Sequence, residues 1–200
     1  MLAYTIEAAL NSKYISDVII STDDQDIADV AVSYGALCPF LRPKYLASDD
    51  AMAIDTYIYT VNRLNKERGS EVDAFVVLQP TSPLRMSCDI DGSIELFKSE
   101  DAESVVSYTE EHHPISWHKY IDSDGRMDDI FTESIDNRQS NRATYYPNGA
   151  VYVFSLELIL TGKYFSGRSF AYIMPRERSI DIDTADDFDY AEFMMMRKRS

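Results

Sequence analysis

The sequence predicts an α/β protein, a three-layer α/β/α sandwich built around one largely parallel sheet. Two observations carry this prediction. Apolar runs of strand length alternate with longer segments of helical periodicity, which is the pattern of repeated βαβ units. The chain has 200 residues, of which 45% are hydrophobic, and this is enough for one domain with a substantial core.

The first half of the chain alternates helices with strands. The β-branched run of residues 18–22 indicates a buried strand. Asp23, Asp24 and Asp26 then favour the start of a helix, because the helix dipole stabilises acidic side chains there, and Gly35 ends that helix. The predicted elements are helices over 2–10, about 24–34, 51–68 and 89–98, strands over 18–22, 36–41, 75–78 and 104–108, and a loop over 42–50.

The alternation lapses between Thr109 and Pro147, where the chain is polar and rich in aromatic residues. A lapse of this length in a compact α/β domain is typical of an insertion with its own function. We therefore predict a core of residues 1–108 and 148–200, interrupted by an insertion of residues 109–147. The regular pattern then returns, with strands over 150–154 and 171–174 and helices over 156–160 and 184–196, the last opened by a capping box of Thr184 and Asp187.

The composition argues against several classes of protein. The chain has 19 basic and 34 acidic residues, a net charge of −15, whereas a nucleic-acid binder needs clustered cations. The sequence shows the pattern of neither a signal peptide nor a transmembrane helix. Cys38 and Cys88 lie far apart and form no CxxC motif, which favours a reducing, cytoplasmic compartment.

The segment Ser179–Thr184 contains two carboxylates, Asp181 and Asp183, that are two residues apart. In an extended segment such residues face the same way, and Mg²⁺ takes oxygen ligands of this kind. The alternative is a pair of solvated acids that lead into the dipole of the following helix.

A second candidate segment is Leu78–Arg85, which follows the most strand-like run of the chain and contains two prolines. The prolines make the loop stiff, and it carries the polar side chains of Gln79, Thr81, Ser82 and Arg85. Because ligands of α/β sheets bind beyond the carboxyl ends of the strands, this loop is a candidate small-molecule site. The alternative is an ordinary strand-to-helix turn.

Cations and amides cluster over Asn137–Arg142, which in so acidic a chain suggests a site for an anion such as a carboxylate. The alternative is a solvated surface loop. His112, His113 and His118 match no common zinc motif, and Asp122–Gly125 indicates a hairpin turn rather than a calcium loop.

Five segments together resemble one family. They are Ser21–Asp24, Arg42–Asp49, Leu78–Arg85, Pro147–Ala150 and Ser179–Thr184, and they resemble the acylneuraminate cytidylyltransferases, the CMP-sialic acid synthetases and their relatives acting on other nonulosonic acids. The resemblance runs from residue 2 to about residue 192. It implies a GT-A/Rossmann-like nucleotidyltransferase fold and a homodimer. It also implies that CTP and a nine-carbon 2-keto acid sugar give a CMP-sugar and pyrophosphate, for cell-surface glycans such as lipopolysaccharide or capsule.

The resemblance further implies roles for individual residues. Asp181 and Asp183 would be catalytic and would hold Mg²⁺, and the insertion of residues 109–147 would be a dimerisation arm that completes the sugar site of a partner subunit. The nucleotide would contact Arg42, Pro80 and Thr81. The sugar would contact Gln79, Arg138, Asn148, Tyr152, Tyr164 and Phe165.

The sequence departs from the family pattern at its start. That pattern begins with a strand and a glycine- and cation-rich loop that cradles the triphosphate, and both would precede Met1. We therefore expect little pyrophosphate release from residues 1–200 alone, and far more when that segment is restored. Ala53 also stands where the family commonly has Ser. Two alternatives stay open: an inactive chain that folds, dimerises and binds sugar, and a different nucleotidyltransferase or GT-A glycosyltransferase that shares the sheet.

Overall fold

The computed structural model describes residues 1–48, 50–69, 71–113, 115–131 and 142–199 of the chain. Its helices are α1 (Leu2–Leu10), α2 (Gln25–Ser33), α3 (Ala53–Arg68), α4 (Ser87–Ser99), α5 (Leu156–Leu160) and α6 (Ala185–Arg199). Its strands are β1 (Ala74–Val77), β2 (Ser104–Glu110), β3 (Lys119–Ile121), β4 (Met127–Asp129), β5 (Tyr145–Ser155) and β6 (Ser169–Ile173).

The helices begin and end where local chemistry predicts. The Asp24 carboxylate accepts a hydrogen bond of 3.0 Å from the Ile27 amide and so caps α2. At the start of α6, the Asp187 carboxylate accepts from the Thr184 amide at 2.9 Å and the Thr184 hydroxyl accepts from the Asp187 amide at 3.2 Å, which confirms the predicted capping box. Gly69 ends α3 in the left-handed region, with φ of 62°.

The main sheet has the strand order β1-β5-β2-β6, and the prediction that it is largely parallel is wrong. β5 is antiparallel to both β1 and β2, and only β2 and β6 are parallel. The reason is that β5 begins at the end of the sheet where β2 stops, because Glu110 pairs with Tyr145. A chain that returns at the same end of a sheet must run antiparallel, whereas a parallel pair needs a crossover to the opposite end.

The two predicted strands nearest the N-terminus are much less regular than expected. Residues 18–22 and 36–41 form a single parallel bridge between Ile19 and Leu37, and neither segment enters the main sheet. Both are held instead by packing, because Val18, Ile20 and Ala36 contact α1 and α2 through a small core of their own. An apolar β-branched run predicts burial more reliably than it predicts a hydrogen-bonded partner.

Helices cover both faces of the main sheet, which confirms the predicted three-layer sandwich. On one face, α1 and α4 share a core with the strands in which Ile90, Val105 and Val151 are fully buried. On the other face, Ile54 of α3 and Phe154 of β5 are buried together with α5. Each fully buried aliphatic side chain contributes about 1.5–3 kcal/mol to folding. These layers leave the ends of the strands open for a site.

The segment between β2 and β5 contains the β3–β4 hairpin, whose strands pair antiparallel. Its turn confirms the predicted hairpin over Asp122–Gly125, since the Asp122 carboxylate accepts from the amides of Asp124 at 2.9 Å and Arg126 at 2.8 Å. None of the helices in the described part of the chain combines the length and apolar character that crossing a membrane requires.

Candidate active site

Three segments meet at one end of the main sheet and bring together residues that lie far apart in the sequence. Gln79 follows β1, Gly149 lies in β5, and Asp181 follows β6. A Cβ atom on Gly149 would lie 2.7 Å from both Asp181 Oδ2 and Gln79 Oε1. The absence of a side chain at Gly149, whose φ is +71°, therefore lets two side-chain oxygens converge over its backbone.

Asp181 is half-buried, and its second carboxylate oxygen, Oδ1, is buried without a hydrogen-bond partner among the described residues. Leaving a carboxylate oxygen buried and unpaired is unfavourable unless a cation or a donor reaches it. Asp183 differs, because it is exposed, and its backbone amide donates to the Asp187 carboxylate at 3.2 Å. The sequence gives no reason to distinguish these two acids, whereas in the structure Asp181 is half-buried and Asp183 is exposed.

Asn148 lies behind the site rather than in its wall. It is 2% exposed, and its side-chain amide donates to Ser179 Oγ at 2.8 Å. Its side-chain carbonyl accepts from Ser107 Oγ at 2.6 Å and from the Ala150 amide at 3.2 Å. Direct contact with the sugar, the role expected from the resemblance, stays a prediction, and in the structure the polar atoms of Asn148 hold β2, β5 and the Asp181 segment together.

Arg85 also points inward, although the sequence suggested a polar group available from the loop. It is 3% exposed, and its guanidinium donates to the carbonyls of Ala150 at 2.7 Å and Gln79 at 3.1 Å and to the Thr5 hydroxyl at 2.7 Å. Burial lowers the pKa of Arg85 to about 10, against the opposing effect of Asp89. Arg85 therefore fastens the loop that carries Gln79 to β5 and α1.

The rest of this loop contacts the segment that carries Asp181. The Ile182 amide donates to the Thr81 carbonyl at 2.9 Å. Thr81 is half-buried, whereas Pro80 is exposed. The segments Leu78–Arg85 and Ser179–Thr184, which the sequence indicated separately, are thus hydrogen-bonded to each other in the structure.

Sequence reasoning missed an ion pair beside the site, in which a buried carboxylate meets a partly exposed guanidinium. Asp89, in the first turn of α4, is 0% exposed and accepts from Arg178 Nη2 at 2.7 Å and from Arg178 Nε at 2.9 Å. Hydrogen bonding to Asp89 raises the pKa of Arg178, although burial opposes it. No local pattern could have found a pair that lies 89 residues apart in the sequence. Asp89, Ser107, Asn148, Arg178 and Ser179 together form what we term the polar framework.

Aromatic side chains form a wall next to Asp181. Tyr152 is half-buried and stacks on Phe154, with ring centroids 6.1 Å apart. Burial raises the pKa of Tyr152, and the nearby negative charge of Asp181 raises it further. Tyr164 packs against Phe154 at 5.9 Å and against Tyr57 at 6.5 Å. Phe165, the next residue, is 54% exposed.

Tyr57 belongs to this wall and was not predicted. Burial raises its pKa to about 12, and Tyr164 and Tyr152 add to the effect. The sequence placed Tyr57 on the apolar stripe of a helix, and that stripe gives no sign that its ring packs against Phe154 and Tyr164.

Arg42 lies near the end of the segment 18–22. Its amide donates to the Thr22 carbonyl at 2.7 Å, and its guanidinium Nη2 lies 3.7 Å from Asp23 Oδ1. Arg42 Nε is buried without a partner among the described residues. Three residues further along, a cavity of about 410 Å³ opens between the loop and α3, and the sequence did not predict it. Its lining is Tyr45, Leu46, Ser48, Asp50, Ala51, Met52, Asp55, Ile58 and Tyr59.

The family model described as cytidylyltransferase matches residues 1–192. The chain belongs to the cytidylyltransferase family. This confirms the family resemblance that the five segments indicated.

Among curated proteins, this chain is similar to an N-acylneuraminate cytidylyltransferase of Escherichia coli, with 34% identity over 200 residues that cover 99% of this chain and 46% of that protein. A CMP-N,N'-diacetyllegionaminic acid synthase of Legionella pneumophila is 34% identical over 98% of this chain and 84% of that protein. A pseudaminic acid cytidylyltransferase of Campylobacter jejuni is 28% identical over 97% and 84%. The chain spans about half the length of the first of these relatives.

Solved structures confirm the nucleotidyltransferase fold. A CMP:2-keto-3-deoxy-manno-octonic acid synthetase complexed with CTP superposes with a TM-score of 0.68 at 10% identity, over 98% of this chain and 88% of that one. A 4-diphosphocytidyl-2C-methyl-D-erythritol synthase of Anaerococcus prevotii gives 0.67 at 15% identity, over 98% and 88%.

Arg138 and most of the Asn137–Arg142 cluster lie outside the described residues, so the anion site there stays a prediction. His112, His113 and His118 are exposed. Within the described ranges, no three His, Cys, Asp or Glu side chains are grouped so that they could hold a metal ion. Cys38 and Cys88 are free thiols.

Proposed function

We propose that this cytidylyltransferase transfers CMP from CTP to a nine-carbon 2-keto acid sugar of the sialic type and releases pyrophosphate. The observation that carries the proposal is the Asp181 carboxylate, which faces Gln79 over Gly149 with one oxygen buried and unpartnered. The names of the relatives support it, since they are enzymes of sialic, legionaminic and pseudaminic acid. The product would supply cell-surface glycans such as lipopolysaccharide or capsule.

The residues at the site fit Mg²⁺ as cofactor. Asp181 offers the unpartnered Oδ1, and its other oxygen, Oδ2, approaches the backbone of Gly149 together with the amide oxygen of Gln79. We assign Asp183 as the second acidic ligand, because it is exposed two residues further along the same segment. When bound, the metal would neutralise the negative charge that builds on the phosphate oxygens during transfer.

The aromatic wall and Gln79 are the surfaces we assign to the sugar. Tyr152, Tyr164 and Phe165 offer ring faces and hydroxyls, and Gln79 offers an amide that binds hydroxyl or acylamino groups. Arg138 is assigned to the sugar carboxylate, since a guanidinium fork matches a carboxylate. Asn148 has a positioning role, because its amide bonds lie within the protein.

The nucleotide is assigned to the neighbouring side of the site. Arg42, with its buried unpartnered Nε, and the exposed Pro80 and half-buried Thr81 are the contacts we propose for CTP. The sugar's anomeric hydroxyl attacks the α-phosphorus in line and releases its proton to water, a new O–P bond forms, and the bond from the α-phosphorus to the departing pyrophosphate breaks. The protein contributes by holding the two reactants in this alignment.

We also propose that the chain acts as a homodimer whose arm, residues 109–147, reaches the partner's site. The β3–β4 hairpin supports this, because the cross-strand partners Ile121 and Met127 are 66% and 71% exposed. Apolar groups exposed in one patch are typical of an interface. The compartment we propose is the cytoplasm, where free thiols such as Cys38 and Cys88 persist.

The test is a binding and transfer experiment with CTP, UTP and the sialic, legionaminic and pseudaminic acids. Calorimetry should detect CTP and one of the sugars separately, and chromatography should detect a CMP-sugar that forms with CTP and Mg²⁺ but not with UTP. Equal product from UTP would contradict the assignment to CTP. Binding of sugar without any transfer would favour the inactive alternative, which none of the comparisons supports.

A further inference from the structure

An ion pair between the buried Asp89 and the partly exposed Arg178 joins the start of α4 to the segment that carries Asp181. Asp89 is 0% exposed, and Arg178 donates two hydrogen bonds to its two oxygens, from Nη2 at 2.7 Å and from Nε at 2.9 Å. Arg178 lies three residues before Asp181. The pair is therefore close to the candidate metal ligand but contributes no free oxygen to it.

The pair of Asp89 and Arg178 fixes the relative position of its two groups more than it stabilises the fold. A buried ion pair is often no more stabilising than a well-packed hydrophobic pair, because both charges lose their hydration. A guanidinium that bonds a carboxylate through two nitrogens does, however, fix both the distance and the plane of the two groups. Asp89 is itself fixed, since its Oδ2 also accepts from the Met86 amide at 3.0 Å and so caps α4.

Two further anchors hold the same segment. Ser179 Oγ accepts from the Asn148 amide at 2.8 Å, and the Ile182 amide donates to the Thr81 carbonyl at 2.9 Å. Asp181 thus lies between anchors on both sides along the chain. Among these anchors, the bond from Arg178 to Asp89 is the one made between full charges and through two hydrogen bonds.

We propose that Asp89 and Arg178 are a positioning pair for Asp181. The pair holds the Asp181 carboxylate over Gly149 and opposite Gln79, which is where a divalent cation would be bound. The metal part of this inference rests on the proposed function, whereas the placement of the segment does not. Partners behind a metal ligand typically change metal affinity by 10–100-fold when they are removed.

The first test compares Asp89→Asn with Asp91→Asn, using Mn²⁺ alone as the probe in calorimetry. Asn at position 89 can still cap α4 through the Met86 amide but loses the charge that binds Arg178. Asp91 is a matched control on the same helix, because it is 7% exposed and accepts from Ser12 Oγ at 2.6 Å and from the Lys13 amide at 2.9 Å, away from the site. We expect Mn²⁺ to bind about tenfold more weakly to Asp89→Asn and with unchanged affinity to Asp91→Asn. Equal affinities in the two variants would overturn the inference.

A double variant separates positioning from stability. Asp89→Asn/Arg178→Met contains neither charge, so its unfolding midpoint should recover towards that of the wild type, because no unpaired charge is left buried. Mn²⁺ affinity should nevertheless stay about tenfold weaker, since the fork that orients the segment is still missing. Recovery of both the midpoint and the affinity would show a merely structural role. Arg178→Lys, which keeps the charge but not the fork, should give an intermediate Mn²⁺ affinity.

The rate of amide hydrogen exchange at Ile182 tests the inference in the absence of any metal. The Ile182 amide should exchange at least about tenfold faster in Asp89→Asn than in wild type or Asp91→Asn, because its bond to Thr81 depends on the position of the segment. Unchanged exchange would overturn the inference. If wild type and Asp181→Asn bind Mn²⁺ equally, the metal assignment of the proposed function fails instead, and the exchange result still decides whether the pair positions the segment.

Discussion

The polar framework and the β3–β4 hairpin use their side chains in opposite ways. In the framework, Asp89, Ser107 and Asn148 are 0%, 0% and 2% exposed, and their hydrogen bonds run to other protein groups. In the hairpin, Ile121 and Met127 are 66% and 71% exposed, although both are apolar. The framework therefore buries polar side chains, and the hairpin exposes apolar ones.

This difference separates the contacts that a single chain makes when it folds from those that need a second surface. A buried polar group left unpaired costs about 1–3 kcal/mol, so the framework has one well-defined arrangement once the chain is folded. Exposed apolar side chains lower the free energy only when a second surface covers them. The bonds around Asp181 are therefore made within one chain, while we propose that the hairpin gains its contacts from a second copy.

Asp181→Asn should have the largest effect on function, and it tests whether the framework is built to present a charge. CMP-sugar formation should fall by on the order of 100-fold or more, because the group that we propose as a ligand of the cation loses its charge. The free energy of unfolding should not fall, since the variant no longer buries an unpaired carboxylate oxygen. Asp186→Asn, at an exposed acid of the first turn of α6, should keep activity. Full activity of Asp181→Asn would refute the assigned role.

Gly149→Ala should give the largest loss of stability and tests how tightly the side chains of Asp181 and Gln79 are held over Gly149. The new Cβ would lie 2.7 Å from two oxygens, at a residue with φ of +71°. We expect a loss of about 3 kcal/mol in the free energy of unfolding, combining overpacking with backbone strain. Gly162→Ala is the matched control, because its φ is +77° and nothing lies within 4 Å of its new Cβ. It should lose only about 1 kcal/mol, and equal losses in denaturant unfolding would show that the oxygens over Gly149 move aside freely.

Tyr57→Phe should change the alkaline stability and tests the burial of the aromatic wall. The pKa of Tyr57 is raised from 10.0 to about 12 in the folded state, so between these values the unfolded chain ionises while the folded one stays neutral. The stabilisation is complete below pH 10 and is lost as the pH rises through 12. We expect wild type to lose about 2 kcal/mol more than Tyr57→Phe over this range, a value reduced for partial exposure. Tyr120→Phe in the hairpin serves as the control, and equal slopes for wild type and Tyr57→Phe would contradict the prediction.

The hairpin variant Ile121→Ser/Met127→Ser should have the smallest effect on stability. Both side chains are mostly exposed, so the free energy of unfolding should change by less than about 0.5 kcal/mol. Self-association in sedimentation velocity should weaken, because the apolar patch is lost. Leu160→Ser, at a residue of α5 that is 54% exposed, should leave association unchanged. An unchanged oligomeric state in the hairpin variant would remove the hairpin from the proposed interface.

Much of the fold could be predicted, because local chemistry decides it. The apolar stripe of α3, the capping residues of α6 and the turn over Asp122–Gly125 all form where their own sequence indicates. Residues 18–22 and 36–41 were predicted less well, since they have strand composition but form only the bridge between Ile19 and Leu37. Whether an extended segment finds a partner depends on distant parts of the chain.

The candidate site also contains residues that the sequence could predict and residues whose roles it could not. Asp181 and Gln79 could be identified from their motifs, because each motif is a short run of residues with its own chemistry. The inward roles of Asn148 and Arg85 could not, since a buried and an exposed amide or guanidinium are identical in the sequence.

By itself, the sequence determined most of the helices and strands, the three-layer class and the family of this protein. Periodicity, capping and motifs each depend on a few residues that are close together in the sequence. Only the tertiary structure decided the direction of β5, the convergence of Gln79 and Asp181 over Gly149, and the pairing of Asp89 with Arg178 across 89 positions. The physical reason is that hydrogen bonds and steric contacts depend on distance in space. A one-dimensional pattern fixes that distance only between residues that are close along the chain.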